Sequence, residues 1–388
     1  MQVDLDVPGW LASQKHSIPK HLINDFNQFE SLYDKKLWHQ LTIKLQDFIS
    51  KPDTDNLLIP LYSNFVKDWE KKMNKISLVR FATKTSRQFK SHKEALEFLA
   101  PFVSQLTNVE NAKDAFVLIK METAHYQLLS GDSEGCKNAM AECEAILEKL
   151  PGIDPVINAS FYRVAADYFK ATMAYPKYYH NALLYLSSVA LEDLTVSEQQ
   201  ERAFELSMSA LLGEGLYNFG ELLIHPILNS LQGTPYSWLR DLLLFYNSGN
   251  IEGFEKMSKS GDFLKQPLLV SALAFLRQKL CLMTLVEAVF KRSKEQRGHM
   301  TFNEVSKETR VPLDEVEHLV MKALSLELIK GSIDEVEGIV QVTWVQPRVL
   351  DKTQIKHIAD RIDEWGVKVK EQVLGLERED AFKTVFIQ

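Results

Sequence analysis

Apolar residues recur with helical spacing from about residue 20 to 260, in pairs of stripes separated by turn residues. Ala124, Leu128 and Leu129 share one stripe. After Gly131-Asp132 a second holds Cys136, Met140, Cys143, Ile146, Leu147 and Leu150, and Pro151-Gly152 closes it. Phe161, Ala165, Tyr168, Phe169 and Thr172 precede Pro176; Ala182, Leu183, Leu186, Val189 and Ala190 follow it. Each pair takes roughly 35 to 40 residues, with alanines where helices must approach, which predicts a tetratricopeptide-like helical-repeat solenoid lacking the repeat's consensus residues.

Thr195-Val-Ser-Glu198 has the spacing of a capping box and starts a helix with Ala203, Leu206, Ala210 and Leu211 on one side. Helices are predicted again from Phe219 to Leu231, Trp238 to Tyr246 and Leu268 to Phe290. The last closes on Lys291-Arg-Ser-Lys294, cations suited to the negative end of its dipole.

After Gly298 the pattern changes. A short segment His299-Met-Thr301 leads to a helix from Phe302 to Thr309, a turn at Val311-Pro312 and a helix with Val316, Leu319, Val320, Ala323 and Leu324 inward. Leu328 to Ile333 and Ile339 to Val345 then read as strands, the second alternating Val340, Val342 and Trp344 with Gln341 and Thr343. Helix, short strand, helix, helix and hairpin is the order of a winged helix. Beyond Pro347 a last helix, about Lys352 to Leu376, places Ile355, Ile358, Ile362, Trp365, Val369 and Val373 at steps of three and four, nearly a heptad seam. No domain follows for it to pack on, so the seam is expected to meet another protein's helix.

Composition agrees with a helical globular chain. Glycines (16) and prolines (13) among 388 residues leave few turns, about 7% together against an average near 12%. Cys136, Cys143 and Cys281 form no CxxC pair, so neither a disulfide framework nor a cysteine zinc site is supported and a reducing compartment is expected. The first residues carry early acids and no apolar segment, unlike a signal peptide. The longest run without formal charge, Leu222 to Leu239, contains His225, Pro226, Asn229 and Pro235 and predicts no membrane span.

The net charge of −7 argues against a protein built mainly to neutralise phosphate. It conceals two local extremes. Residues 311–337 carry Asp314, Glu315, Glu317, Glu327, Asp334, Glu335 and Glu337 against Lys322 and Lys330, so this winged helix, a motif often used to read DNA, would repel it. Residues 67–93 have a net of +7 from Lys67, Lys71, Lys72, Lys75, Arg80, Lys84, Arg87, Lys90 and Lys93. Such runs are usually solvated helix faces. The functional alternative is a patch that meets RNA or an acidic partner.

Catalytic constellations are missing from the pattern. Gly131-Asp-Ser-Glu-Gly135-Cys-Lys137-Asn138 has one residue too few for a phosphate loop, ends on Asn138 in place of Ser or Thr, and follows a helix; it reads as a turn. Gly213-Glu-Gly215 reads as a helix junction. The ten histidines show neither HxH nor HExxH, and GxSxG does not occur. No cofactor and no metal are expected.

Helical arm, winged helix and terminal helix together resemble the PCI-domain proteins, scaffolds shared by the proteasome lid, the COP9 signalosome and a translation initiation factor. Tyr217-Asn-Phe-Gly-Glu-Leu-Leu223 with His225-Pro226, the helix Leu280 to Phe290 and Val340-Gln-Val-Thr-Trp-Val-Gln-Pro-Arg348 are similar to subunits of the proteasome lid. The resemblance implies a fold that is mainly α: an arm over 1–180, the helical part of the PCI domain over 181–297, a winged helix over 298–350 and a bundle helix with its tail over 351–388. It implies a non-catalytic scaffold in ubiquitin-dependent degradation, in cytoplasm and nucleus. Neighbouring PCI subunits would pair through the winged-helix strands, with Ile329, Ile333, Val340, Val342 and Trp344 as partner-binding residues. The seam Ile355, Ile358, Ile362, Trp365, Val369 and Val373 would join the C-terminal helices of other subunits, those of the deubiquitinase heterodimer included, and a ubiquitin receptor is a further candidate partner. The alternatives are a nucleic-acid-binding winged-helix protein, or a PCI subunit of the signalosome or initiation factor.

Overall fold

Helical periodicity governs most of the fold, with strand periodicity confined to the hairpin Ile329–Asp334 and Ile339–Val345 and the short strand Met300–Thr301. The computed structural model describes residues 7–14, 19, 22–51, 54, 57–107, 109, 112–150, 152, 154–292, 298–347 and 352–385, without the side chains of 352–354, 357 and 377–385. Pro151, Ser293, Lys294 and Arg348 therefore lie outside the described residues, as do the side chains of the 380–388 tail. The chain forms two compact units, Met1–Leu194 and Thr195–Gln388.

The first unit contains α1 (Val7–Gln14), α2 (Ile23–Asp34), α3 (Trp38–Ile49), α4 (Leu58–Leu61), a π-turn at Tyr62–Val66 and α5 (Lys67–Trp69). After a 3-10 turn at Glu70–Lys72 come α6 (Lys75–Ser86), α7 (His92–Leu106), α8 (Lys113–Leu129), α9 (Ser133–Leu147), α10 (Pro155–Ala171) and α11 (Tyr175–Ser188). Successive helices α7 to α9 pack on one another, α10 packs on both α11 and α8, and this stacking of pairs is the predicted solenoid. Cys136, Met140 and Cys143 are buried as the stripe required, with Ile157, Phe161 and Ala165 against them. The N-terminal half is aromatic: Phe26, Phe29 and Phe48 meet edge to face at 5.5–5.8 Å, the offset geometry that ring quadrupoles favour.

Gly131 turns the chain between α8 and α9 at φ +89°, and Asp132 Oδ1 then accepts the Gly135 amide at 2.9 Å. That N-cap accounts for the loop resembling a phosphate cradle, since its acceptor serves the helix itself. Two details differ from the pattern. Leu129 is exposed, because it occupies the last turn of α8 beyond the packed stripe. Pro176 opens α11 instead of separating two helices, in the first turn, where a missing N–H costs nothing.

The second unit begins with α12 (Val196–Leu212), whose capping box is complete: Thr195 Oγ1 accepts the Glu198 amide and Glu198 accepts the Thr195 amide. Next come α13 (Gly220–Ile224), a 3-10 turn at Pro226–Leu231, α14 (Ser237–Ser248), α15 (Ile251–Ser258), α16 (Gly261–Leu264), α17 (Pro267–Ser271) and α18 (Leu273–Lys291). Two predicted helices are therefore broken. His225-Pro226 divides the first, because proline supplies no amide and holds the preceding residue extended (His225 ψ 129°). Ala272, with ψ 11°, divides α17 from α18.

Lys279 is the feature that periodicity missed. It sits 1% exposed within α18, and its Nζ donates to the carbonyls of Ala210, Leu211 and Gly213 at 2.7, 3.1 and 2.8 Å. These are orphan acceptors at the end of α12, where a cation also meets the negative end of the dipole. Tyr217, Phe219 and Phe275 surround the ammonium at 5.2–5.7 Å. Burial pulls its pKa down to about 7, a cost that the carbonyls and rings oppose.

The winged helix comprises β1 (Met300–Thr301), α19 (Phe302–Thr309), α20 (Leu313–Ser325), β2 (Ile329–Asp334) and β3 (Ile339–Val345). Its antiparallel sheet has the order β1-β3-β2. Leu282, Leu285, Val286 and Val289 of α18 enter the same core as Val316, Leu319 and Val320, so the long helix and the winged helix share one interior. Last comes α21 (Lys352–Val385).

Candidate interaction surfaces

Along α21 the predicted seam is uncovered. Ile362 is 60% and Trp365 68% exposed; Ile355, Val369 and Val373 are exposed too, and Ile358 is half-buried. Leu376 extends the seam by three residues, and Val367 and Leu374, seven apart, form a second exposed stripe that the heptad reading omitted. Asp360, Arg361, Asp363, Glu364, Lys368, Lys370 and Glu371 alternate in sign between them. An isolated helix of this kind gains nothing from its apolar residues; their spacing suits a partner helix.

The strand residues proposed for partner contact are placed differently. Ile329, Val340 and Val342 are buried in the domain's own core, and Ile333 packs half-buried against it. These four side chains face inward because the inner face of a three-stranded sheet must cover α18 and α20. Trp344, expected to continue that alternation, is exposed instead. A bulge explains the reversal: Lys330 pairs with Trp344 and Gly331 with Val342, leaving Thr343 as the extra residue. Thr343 Oγ1 donates to the Lys330 carbonyl at 3.0 Å, and Lys330 Nζ covers the Trp344 ring at 5.1 Å. Gly331 is required there, since an added Cβ would lie 2.0 Å from the Gln341 carbonyl oxygen. Within this three-stranded order β2 is an edge, and β1 pairs β3 only through Ile339 and Val340.

The face that would meet DNA is acidic. Asp314, Glu315, Glu327, Asp334, Glu335 and Glu337 are exposed on α20 and the wing, with Glu317 half-buried. The basic segment divides in space. Lys72 Nζ sits 4.3 Å over Trp38, whereas Arg80, Lys84 and Arg87 of the α6 end line a cavity of about 460 Å³ with Glu122 and Arg163. Glu122 is buried and accepts from Arg163 Nη2 at 2.8 Å, with Arg87 Nε 3.7 Å away; Arg80 reaches Asp154 at 3.5 Å. Sequence reasoning found the α6 cations but not Glu122 or Arg163, which lie on α8 and α10 and converge only through stacking.

Burial pushes the Cys136 and Cys143 thiols up to about 11 and about 12, far from the thiolate a nucleophile needs. Among the described residues no three of His, Cys, Asp or Glu gather as metal ligands, and no described helix is long and apolar enough to cross a membrane.

Comparison with known proteins matches two sequence families, the first of which runs past the boundary between the two units at Leu194. Residues 25–243 match the family described as PSD13 N-terminal repeats, and residues 251–344 match the PCI domain. The 26S proteasome non-ATPase regulatory subunit 13 homolog B of Arabidopsis thaliana is 38% identical over 376 residues, covering 95% of this chain and 97% of the relative. The chain belongs to the family of 26S proteasome non-ATPase regulatory subunit 13. The subunit 13 family is represented equally by the 26S proteasome regulatory subunit RPN9 of Saccharomyces cerevisiae, 36% identical across 93% of this chain and 94% of the relative. Eukaryotic translation initiation factor 3 subunit M of Coccidioides immitis is 24% identical over 53% of this chain and 43% of its own length. The initiation-factor alternative is thus a distant cousin, while the subunit 13 family accounts for both units. Its members carry names of regulatory, non-ATPase subunits, and the mainly helical repeats followed by a small sheet are consistent with the matched N-terminal repeats and PCI domain.

Proposed function

We propose that this chain is a non-catalytic structural subunit of the 26S proteasome regulatory particle lid, a scaffold for lid assembly in ubiquitin-dependent degradation in cytoplasm and nucleus. The observation that carries the reading is the uncovered α21 seam in a member of this family. At 34 residues, the helix is about 50 Å long, more than enough for several heptads. Burying its six seam residues in a bundle of lid C-terminal helices, the deubiquitinase heterodimer's among them, contributes on the order of 10 kcal/mol before ordering and association costs.

The second anchor is the edge of the winged helix. β2 offers main-chain groups that a neighbouring PCI subunit extends, with exposed Trp344 and the Lys330 stem beside it as side-chain determinants. Ile329, Val340 and Val342 support that edge from within. Two anchors on one chain raise effective concentration, so losing either weakens assembly out of proportion. A ubiquitin receptor is a further partner consistent with a lid scaffold. A nucleic-acid role has the acidity of α20 and the wing against it.

The test is co-purification of tagged lid with Ile362→Asp/Trp365→Asp. The double variant is expected to stay folded and to be missing from the complex; its normal incorporation defeats the bundle proposal. Mass spectrometry of the wild-type complex identifies the partners directly.

A further inference from the structure

The cavity in the first unit has the makings of an anion-recognition site that lid scaffolding does not use. Its cations come from separate elements: Arg80 and Lys84 from α6, Arg87 from the residue that caps it, and Arg163 from α10. Only part of this charge is spent inside the chain. Glu122 takes Arg163 and lies near Arg87, and Asp154 takes Arg80. Among the described residues no acid pairs with Lys84. Two donors at the cavity are also unsatisfied: Arg163 Nε and Thr83 Oγ1 are buried atoms with no hydrogen-bond partner. Buried polar atoms of this kind are ordinarily paired, so unspent ones in the wall of an open cavity mark where a ligand or water completes the set.

The rest of the wall is mixed: Leu118 and Ala159 are buried and Val156 is 48% exposed, beside the polar Gln46, Ser50 and Ser160. We infer that this cavity binds an acidic peptide segment of a partner protein, a carboxylate meeting the exposed Lys84 and Arg87 side chains while an adjacent aliphatic side chain covers Val156. Two observations select a peptide over a nucleic acid. The volume of about 460 Å³ suits a few side chains and not a polynucleotide track. Tyr185, the aromatic residue of the wall, is buried and offers no stacking platform. The remaining cations of the basic stretch, such as exposed Lys67 and Lys90, lie outside this cavity and serve as internal controls.

The experiment uses the full chain and fluorescence anisotropy with a fluorescein-labelled nine-residue peptide alternating Glu and Leu, beside a labelled nine-nucleotide single-stranded RNA. Wild type should bind the peptide at micromolar concentration. Lys84→Glu/Arg87→Glu should weaken it tenfold or more, and Lys67→Glu/Lys90→Glu, with the same change in charge, should leave it within twofold. Both pairs are on exposed residues, and circular dichroism verifies that each variant is folded. Absence of peptide binding overturns the inference, as does equal weakening by both pairs, which would mean general charge attraction. Tighter binding of the RNA, lost with Lys84→Glu/Arg87→Glu, overturns it in favour of nucleic acid. Because α21 takes no part in this assay, its outcome is independent of the lid-bundle test.

Discussion

Two long helices of the second unit, α18 and α21, both carry repeated leucine, isoleucine or valine, yet they end in opposite environments. From Leu282 to Val289 every residue of α18 is buried, and even Lys279 is enclosed. The seam residues of α21 stand mostly in water. The difference is what surrounds each helix: α18 is packed against α14, α19 and β3, so its apolar residues stabilise this chain's own fold. The same residue types on α21 are available to another chain. Burial of a hydrophobic stripe thus reports on a neighbour in the same chain, and an exposed stripe is surface that this chain's own fold does not use.

Substitutions on the two helices should therefore separate assembly from stability. The largest effect is expected from Ile362→Asp/Trp365→Asp, which should abolish co-purification with the lid while moving the unfolding free energy of the lone chain by no more than about 0.5 kcal/mol. A large drop in the thermal midpoint of that variant would mean that α21 belongs to the chain's own core, and the contrast with α18 would collapse. Leu282→Ala on α18 should do the reverse, costing about 3 kcal/mol in urea unfolding through the cavity it leaves.

Lys279→Met sharpens the contrast further, because it keeps the size of a buried side chain and removes only the donors to α12. A loss of about 2 kcal/mol in urea unfolding is expected from three carbonyls left without partners. Lys279 should also make the wild type more stable as pH rises from 7 to 8: it has lost its proton in the folded chain above about 7, whereas the unfolded chain keeps its lysine proton until about 10.4, and only above about 8.5 do the Cys136 and Cys143 thiols, held up at about 11 and about 12, pull stability the other way. Below pH 7 both states hold the proton, and this contribution is flat. The rise between pH 7 and 8 should vanish in Lys279→Met; a rise that persists there assigns it to other groups. Smallest is Thr195→Ala at the other end of α12, about 1 kcal/mol by chemical denaturation, since that cap is exposed and water replaces it in part.

Much of this fold is legible in local pattern. Thr195 and Glu198 fix the start of α12, Gly131 and Asp132 the turn into α9, and the limits of β3 coincide with the run Ile339 to Val345. These are features that neighbours in sequence settle by themselves, through caps, turn conformations and side-chain periods of two or 3.6. Trp344 was misread because a bulge depends on the facing strand: without Lys330 and Gly331 opposite, nothing in Val-Gln-Val-Thr-Trp announces an extra residue. Likewise Glu122 and Arg163, 41 positions apart, carry no shared local signal.

The sequence by itself determined the helical class, the order of the winged helix, the family resemblance and the existence of an unpartnered terminal seam, because each rests on spacing and chemistry within a few turns of chain. Only the tertiary structure decided which apolar residues remain available. It turned Ile329, Val340 and Val342 into core, left Trp344 outside, enclosed Lys279 over the end of α12 and gathered three helices' charges into one cavity. The physical reason is that burial and electrostatic pairing are properties of what lies opposite a residue, and the opposing group comes from a distant part of the chain.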